Sequence, residues 1–453
     1  MSVSLQSIGV SGIFAAEAEM AATESNISNA SNPNYSVESV NLAANAGYCG
    51  IGDGVSILGT VSAQAPYLTS QINSNQSTDS YNQAFSLATT DAQQALAPSS
   101  GNDLSGSLQS LFNAFTNLSA SPSDATVRSS AIAAITQFAQ TDQSLSSSLS
   151  SIANSQLTQV SSLVSQINDA STQIAKLNSQ ITADQANGQS GAALEDQRNA
   201  LVNQLATLIG ASGDAQGNVS VGGMPLVSGT SALTLATVGS GPSLGLQVNL
   251  ANGSLPVNVS QIGGTLGGVL AGATSVLQLQ SQVNELSTSV AGALNTQAES
   301  GYGLDGSTGT ALFTIPGSGG PVSVNSALTE QNLGASATAS GVPGDGSNAS
   351  ALAAIGNNQN LIASLPNSTP VAAFSEITSN FGTVVQNANN NQQQSAATVQ
   401  SLTQLQSSIT GVSLNDQLTQ LIQYQNALEA SGRAVQAADD MTTYLVQSLS
   451  SSS

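Results

Sequence analysis

Histidine is absent from this chain of 453 residues, and Lys and Arg together number only four. The first absence removes Ser-His-Asp and Cys-His nucleophile systems and every zinc site that needs imidazole. The second sets four basic side chains against 25 Asp and Glu, a formal net charge of −21. Nucleic acid is thereby excluded as a partner, because neutralising phosphate takes clustered basic groups. The same scarcity argues against anionic membrane surfaces. Cys49 is the single cysteine, so neither an intramolecular disulfide nor a cysteine metal cluster can form, and it reads as a small residue in a loop. No stretch reaches the 18 or more uninterrupted apolar residues of a membrane span. No basic residue precedes Ile8, and Glu17 and Glu19 interrupt the apolar run that a signal peptide would need. Composition favours export by a route that cleaves no signal, with no membrane insertion.

Charged residues make up 6% of the chain against a usual quarter, so Ser, Thr, Asn and Gln must supply solubility. The depletion of Lys and Arg fits an acidic medium, in which the carboxylates would protonate and leave almost no net charge. Aromatics are 3%, and much of the apolar content is Ala, Val and Leu. Cores built this way are thin and suit helices packed side by side, in roughly two to four domains for this length.

Residues 3 to 29 read as an Ala-rich helix with Ile13, Ala16, Met20, Thr23 and Ile27 in steps of three and four. It runs into the turn-forming cluster Asn29-Ala-Ser-Asn-Pro33-Asn34. Glycines at 47, 50, 52 and 54 within loose alternation from Val37 to Val61 predict short strands and turns. Pro66 opens a helix to about Leu96, and a shorter one carries Leu104, Leu108, Leu111, Phe112, Phe115 and Leu118. Ser121-Pro122-Ser123-Asp124 reads as a helix start with Pro in the first turn. A long helix through Ile181 and a second from Leu194 to Leu208, joined by Gly-containing breaks, form a helical hairpin. Residues 211 to 260 read as a small β-rich insertion. Helix returns from about Gly267 to Ala298, irregular structure with a hairpin fills 300 to 350, and helix resumes near Phe374.

The last forty residues carry Leu414, Leu421, Leu428, Val435, Thr442 and Leu449 at every seventh position. That is the spacing of a helix packed along its length against other helices. Its companion positions are uneven: Leu418 and Val446 are apolar, whereas Gln425, Gly432 and Asp439 are polar or small. Such a seam needs a partner, and the N-terminal helix offers one.

Ser25-Asn26-Ile27-Ser28-Asn29, followed by Tyr35, resembles the signature of bacterial flagellar rod, hook and hook-associated proteins. Asn34 stands where that family has Gly, a mild change because Asn tolerates positive φ. Val37 replaces a usual basic residue. The run Gln425 to Val435, with Arg433 retained, resembles the family's closing helix, with Leu428 for Tyr and Gly432 for Ala. Leu194 to Leu205, Gly301 to Phe313 and Gly263 to Gly268 resemble segments of its hook–filament junction proteins, with Asn199 and Gly303 replacing usual acids.

The resemblance implies a mainly α, flagellin-like elongated subunit with a small β-rich insertion. Its terminal helices would form an inner coiled-coil layer, a long-helix bundle would come next, and the β domain would point outward. The division is 1–62 plus 411–453 for the terminal domain, 63–210 plus 261–410 for the bundle with an irregular 300–350 segment, and 211–260 for the insertion. The implied role is structural: self-assembly into the junction between hook and filament after type III export. Implied partners are further copies, the hook protein, hook-associated protein 3 as the second junction protein, and an export chaperone on the C-terminal helix. The assembly surface is expected at Ile13, Met20, Asn26, Ile27, Asn29 and Tyr35 near the start, and at Leu414, Leu421, Leu428, Arg433, Val435 and Leu449 near the end. Hook-associated protein 3 or a flagellin-like filament subunit is the alternative. A secreted enzyme or a coiled-coil adhesin is more remote.

No catalytic, cofactor or metal site is expected. Asp305-Gly306 has too few carboxylates for a calcium loop and reads as a turn. The Gly263–Gly268 run lacks a phosphate-binding context. Glu195 and Asp196, adjacent on a helix, point to different azimuths.

Overall fold

The structure, a computed structural model, describes residues 2–32, 35–45, 52–63, 65–96, 103–187, 191–214, 216–239, 244–250, 253–317 and 319–450. Cys49, Asn34 and several loop glycines read above lie outside the described residues. Helix α1 (Ser2–Ser28) is followed by a hairpin of β1 (Glu38–Ala44) and β2 (Val55–Ser62). Then come α2 (Pro66–Leu96), α3 (Leu104–Ala120), α4 (Ala125–Ala186) and α5 (Ala192–Ile209). Seven short strands form the insertion: β3 (Ser212–Gly213), β4 (Val219–Val221), β5 (Met224–Ser228), β6 (Ser231–Ala232), β7 (Thr234–Val238), β8 (Gly245–Leu250) and β9 (Gly253–Val257). The chain returns through α6 (Gly264–Glu299), a minimal hairpin of β10 (Phe313–Thr314) and β11 (Ser323–Val324), and α7 (Ser347–Ala354). It ends with α8 (Pro370–Thr410) and α9 (Leu414–Ser450).

Helix starts are set by side chains that accept from otherwise orphaned N–H groups. Asp103 accepts from Gly106 N at 2.7 Å to open α3, and Thr369 accepts from Ala372 N at 3.3 Å to open α8. Asp124 accepts from Thr126 N at 2.7 Å and Val127 N at 3.2 Å. The cap of α4 is therefore Asp124 itself, and Pro122 lies two residues before that cap, not in the first turn. Helix α5 ends on Gly210 in the left-handed region at φ 73°.

Helix α4 has 62 residues, about 93 Å of axis, and spans two separate cores. Its first half packs with α3, α6, α7, the start of α8 and the end of α2 around Phe115, Phe138, Leu149 and Leu286. Its second half packs with α5, the start of α6 and both insertion sheets around Ile167, Ile174, Leu205 and Leu235. The insertion comprises one sheet in the order β3-β4-β5-β6 and another in the order β7-β8-β9, all antiparallel. Two amides of α4 fasten them. Asn168 donates to Leu235 O at 2.9 Å and accepts from Leu235 N at 2.8 Å, and Asn178 donates to Gly217 O and Gly229 O at 2.9 and 2.7 Å.

Arg128, at the start of α4, is 1% exposed and organises the irregular segment. Its guanidinium donates to Glu330 O at 2.5 Å, to Pro122 O at 2.7 Å and to Leu333 O. Burial works against its charge, and Glu330 and Asp305 support it. Replacing it with Met would leave three carbonyls without donors, at about 1–3 kcal/mol each before relaxation. Arg128→Met should therefore lower the urea midpoint by the equivalent of about 3–5 kcal/mol, with the denaturant slope unchanged.

Candidate assembly interface

Helices α1 and α9 run antiparallel along each other. Gly9 lies against Val435, Gly12 against Ser431, and Asn26 against Gln417. A Cβ on Gly9 would meet Val435 Cγ2 at 2.6 Å, and one on Gly12 would meet Ser431 Oγ at 2.8 Å. Two glycines thus let the backbones approach at this end of the pair. The residues of α9 turned inward are Gln417, Leu421, Tyr424, Leu428, Ser431, Val435, Ala438 and Thr442, all buried or half-buried. They keep an unbroken alternation of four and three, the heptad seam of two packed helices.

This register corrects the companion positions expected from sequence. Leu418, Gln425, Asp439 and Val446 are exposed, and the true companions are Gln417, Tyr424, Ser431 and Ala438. The outer members of the seven-residue series also fall away, with Leu414 50% and Leu449 68% exposed. In the observed register both lie beyond the ends of α1, so α1 does not cover them. Ile13, Met20 and Ile27 on α1 are half-buried, as are Leu421, Leu428 and Val435 on α9. Arg433 points away from α1, with its side chain 74% exposed and paired to Glu429 at 2.5 Å one turn earlier. An exposed pair of that kind contributes about 0.3–0.5 kcal/mol.

Asn26 closes one end of the pair. It is 1% exposed and uses every hydrogen-bonding position of its amide. Its nitrogen donates to Glu38 O and to Gln417 Oε1, each at 2.9 Å. Its oxygen accepts from Glu38 N and from the Tyr35 hydroxyl, each at 2.8 Å. One side chain therefore joins α1, the turn after it, the first residue of β1 and the first turn of α9. Asn29 donates back to Ser25 O at 3.0 Å and ends α1. Val37 N donates to Thr410 O at 3.0 Å, tying the turn to the end of α8. At the hairpin's far end, Ser7 Oγ donates to Asp53 at 2.8 Å and Val55 N donates to Ser11 Oγ at 3.2 Å.

The local field is acidic. Burial holds the Glu19 carboxyl above the usual range, and burial with Glu19 nearby raises the Tyr424 phenol. Burial raises Asp196 on α5 as well, followed by Glu38 and then Glu195. Away from the α1–α9 contact, apolar side chains stay open to solvent: Phe14 at 58% on α1, Ile422 at 59% on α9, and Leu58 and Val61 on β2. With Leu414 and Leu418 they leave much apolar surface that this chain does not cover.

Among the described residues, no three of His, Cys, Asp and Glu gather as a metal site, and no helix is long and apolar enough to cross a membrane. Asp305 folds into a turn around Gly306, accepting from Ser307 N and Oγ at 3.0 and 2.6 Å, and these bonds lower its carboxyl. The Gly263–Gly268 run serves helix packing. Gly264 adopts φ +62° against Thr207 O, and a Cβ on Gly268 would strike Tyr81 O.

Comparison with known proteins agrees with this architecture. Residues 89–313 match the family described as "Flagellar hook-associated protein FlgK helical domain". Residues 406–448 match "Flagellar basal body rod FlgEFG protein C-terminal", a span that contains most of α9. The chain is 30% identical over 342 residues to flagellar hook-associated protein 1 of Salmonella typhimurium, covering 70% of this chain and 60% of that protein. The Salmonella typhi protein of the same name matches to the same extent. The chain therefore spans less than two thirds of the length of these relatives. The solved structure titled as the flagellar hook junction protein FlgK from Burkholderia pseudomallei superposes with a TM-score of 0.66 at 17% identity, covering 75% of this chain and 100% of that one. At that identity it shows a shared fold.

Of the residues expected at the assembly surface, the contact of α1 with α9 and the turn after α1 includes Asn26, Tyr35, Leu421, Leu428 and Val435; it also includes Gln417, Tyr424, Ser431, Ala438, Gly9 and Gly12, which sequence reasoning did not name. A signal for them existed, since Gln417, Tyr424, Ser431 and Ala438 also recur every seven residues. Asn26→Ala should cost about 2–4 kcal/mol, because four bonds vanish from a buried site. Amide exchange should then show protection lost in α1 and α9 and retained in α4.

Proposed function

The chain belongs to the flagellar hook-associated protein family, and on that premise we propose that it is a structural subunit of the bacterial flagellum, assembling into the junction between hook and filament. The observation that carries this reading is the α1–α9 pair, closed at Asn26 and still exposing apolar side chains along both helices. A pair that buries only one face of each helix is incomplete by itself. Neighbouring copies would cover Phe14, Leu418 and Ile422, and further copies would repeat the contact along a helical assembly.

Residues 1–62 with 411–453 form the assembly domain in this reading, 63–210 with 261–410 the helical body, and 211–260 the outer insertion. Below, the terminal domain meets the hook protein, and above, it meets hook-associated protein 3. Before assembly the C-terminal helix is held by an export chaperone, since its apolar outer face would otherwise self-associate. The subunit leaves the cell through the flagellar type III apparatus. Its task is mechanical coupling of two polymers, and no residue carries a catalytic role.

Deleting residues 412–453 should abolish polymerisation and filament attachment, scored by motility and by electron microscopy of isolated flagella. Motile filaments surviving that deletion would sink the proposal. Deleting 212–258 should leave assembly intact, because the insertion shares its core with α4, α5 and the start of α6. Immunogold labelling should decorate the hook–filament boundary and not the filament length.

A further inference from the structure

Asp142, in the first half of α4, has no exposed surface and no cation beside it. One carboxyl oxygen accepts from Ser287 Oγ of α6 at 2.6 Å, and the other accepts from Val322 N, just before β11, at 2.8 Å. Gln143 donates to Val322 O at 3.0 Å, so consecutive residues of α4 hold both main-chain groups of Val322. The other strand of the hairpin is seated by Phe313 edge-on to Phe138, with centroids 5.5 Å apart, and by Asn295 bonding the main chain of Leu312 and Phe313. The hairpin is thus docked through apolar and neutral polar groups, with one ionisable group among them.

The surroundings of that group are neutral. From α6 it faces Ser287, from the hairpin the Val322 amide, and on its own helix Gln143 is its neighbour. Glu285, the charged residue nearest to Ser287 on α6, turns instead to Ser364 N. Each of the four basic residues is placed elsewhere. Arg128 starts the same helix about 21 Å away along the axis and is held by carbonyls. Lys176 is exposed farther along α4, the charge of Arg198 acts on Asp214, and Arg433 pairs with Glu429. An ionised carboxylate here has one donor per oxygen and no counter-charge, which is an unfavourable way to bury charge.

The protonated acid fits without rearrangement. Its O–H donates to Ser287 Oγ along the same 2.6 Å line, and its carbonyl oxygen still accepts from Val322 N. We propose that Asp142 is a proton-operated clasp, which holds the 313–324 hairpin against α4 and α6 when protonated and loosens it when ionised. The proton is taken from and returned to water. Burial, the largest influence, pushes the carboxyl above the usual range, while the Ser287 and Val322 bonds pull the other way. Between the ordinary and the raised value the folded chain keeps a proton that the unfolded chain has released. Stability is therefore greatest below the ordinary carboxylate range and falls as pH rises through the raised value. A chain with 25 acids and four bases is also closest to neutral in acid, so local and global charge act in the same direction.

Asp142→Asn tests this, because its amide can donate to Ser287 Oγ and accept from Val322 N without titrating. Thermal unfolding of the full chain should give matching midpoints for wild type and variant near pH ~4. By pH ~8 the variant should unfold about 2–4 °C higher, the order of shift that losing one modest interaction produces in a large domain. Asp91→Asn, an exposed carboxylate on α2 with the same change in net charge, should track wild type throughout. An offset between wild type and Asp142→Asn that does not change with pH would overturn the clasp. Should the variant not fold, wild-type amide exchange decides, corrected for its intrinsic pH dependence. Protection of 313–324 should fall relative to α3 as pH rises, and constant relative protection would overturn the proposal.

Discussion

Neutral amide and hydroxyl side chains fasten the parts of this molecule to one another, because four basic residues cannot supply charge pairs for a chain of 453. Asn26 joins the terminal helices to the hairpin, and Asn168 and Asn178 hold the two insertion sheets to α4. Asn295 seats the 313–324 segment, while Ser86 bonds Asn389 and Ser395 bonds Asp79 across the α2–α8 pair. Such bonds are short-ranged and insensitive to salt, unlike exposed ion pairs. Among the described residues the one ion pair is Arg433 with Glu429, on the outer face of α9. Arg128, buried at the start of α4, is bound to carbonyl oxygens.

That scarcity of charge is matched by a scarcity of bulk. Aromatics are few, so interiors are narrow and the helices lie close, with Gly9, Gly12 and Gly268 at points of contact. The cores are drawn out along α4 and α6 instead of gathered in one centre. The ends of the chain carry the least internal burial. On α9 only Gln417 and Ala438 are fully buried, although it has 37 residues. The stable body and the incomplete pair are thus made of the same kind of helix. They differ in how many neighbours each helix has within the chain.

Helix positions were legible because periodicity is local. Pro66 marked a start that could be read, whereas the caps at Asp103 and Thr369 and the stop at Gly210, each acting within a turn of its own position, emerged with the structure. The terminal signature was legible at Asn26 and Tyr35 as a pattern, but not as four bonds to one amide. Those bonds depend on Glu38 and Gln417, the latter 391 residues away. Likewise Asp142 carried no sequence signal. Its neutral surroundings arise from Ser287 and Val322, which only the packing of α6 and the hairpin brings to it.

The sequence by itself determined a chain of long helices interrupted by one β-rich insertion, without catalytic or metal chemistry to expect, and with helical ends needing partners. Local spacing and composition suffice for that, since each acts on its own segment. Only the tertiary structure decided which face of α9 meets α1. Two heptad series run along that helix, and sequence favoured Leu418 and Val446 as companions for their hydrophobicity. The smaller Ser431 and Ala438 won because Gly9 and Gly12 bring the backbones close, and because Asn26 fixes the register through Gln417. Leu418 and Val446 were left outward, where a neighbouring chain can reach them.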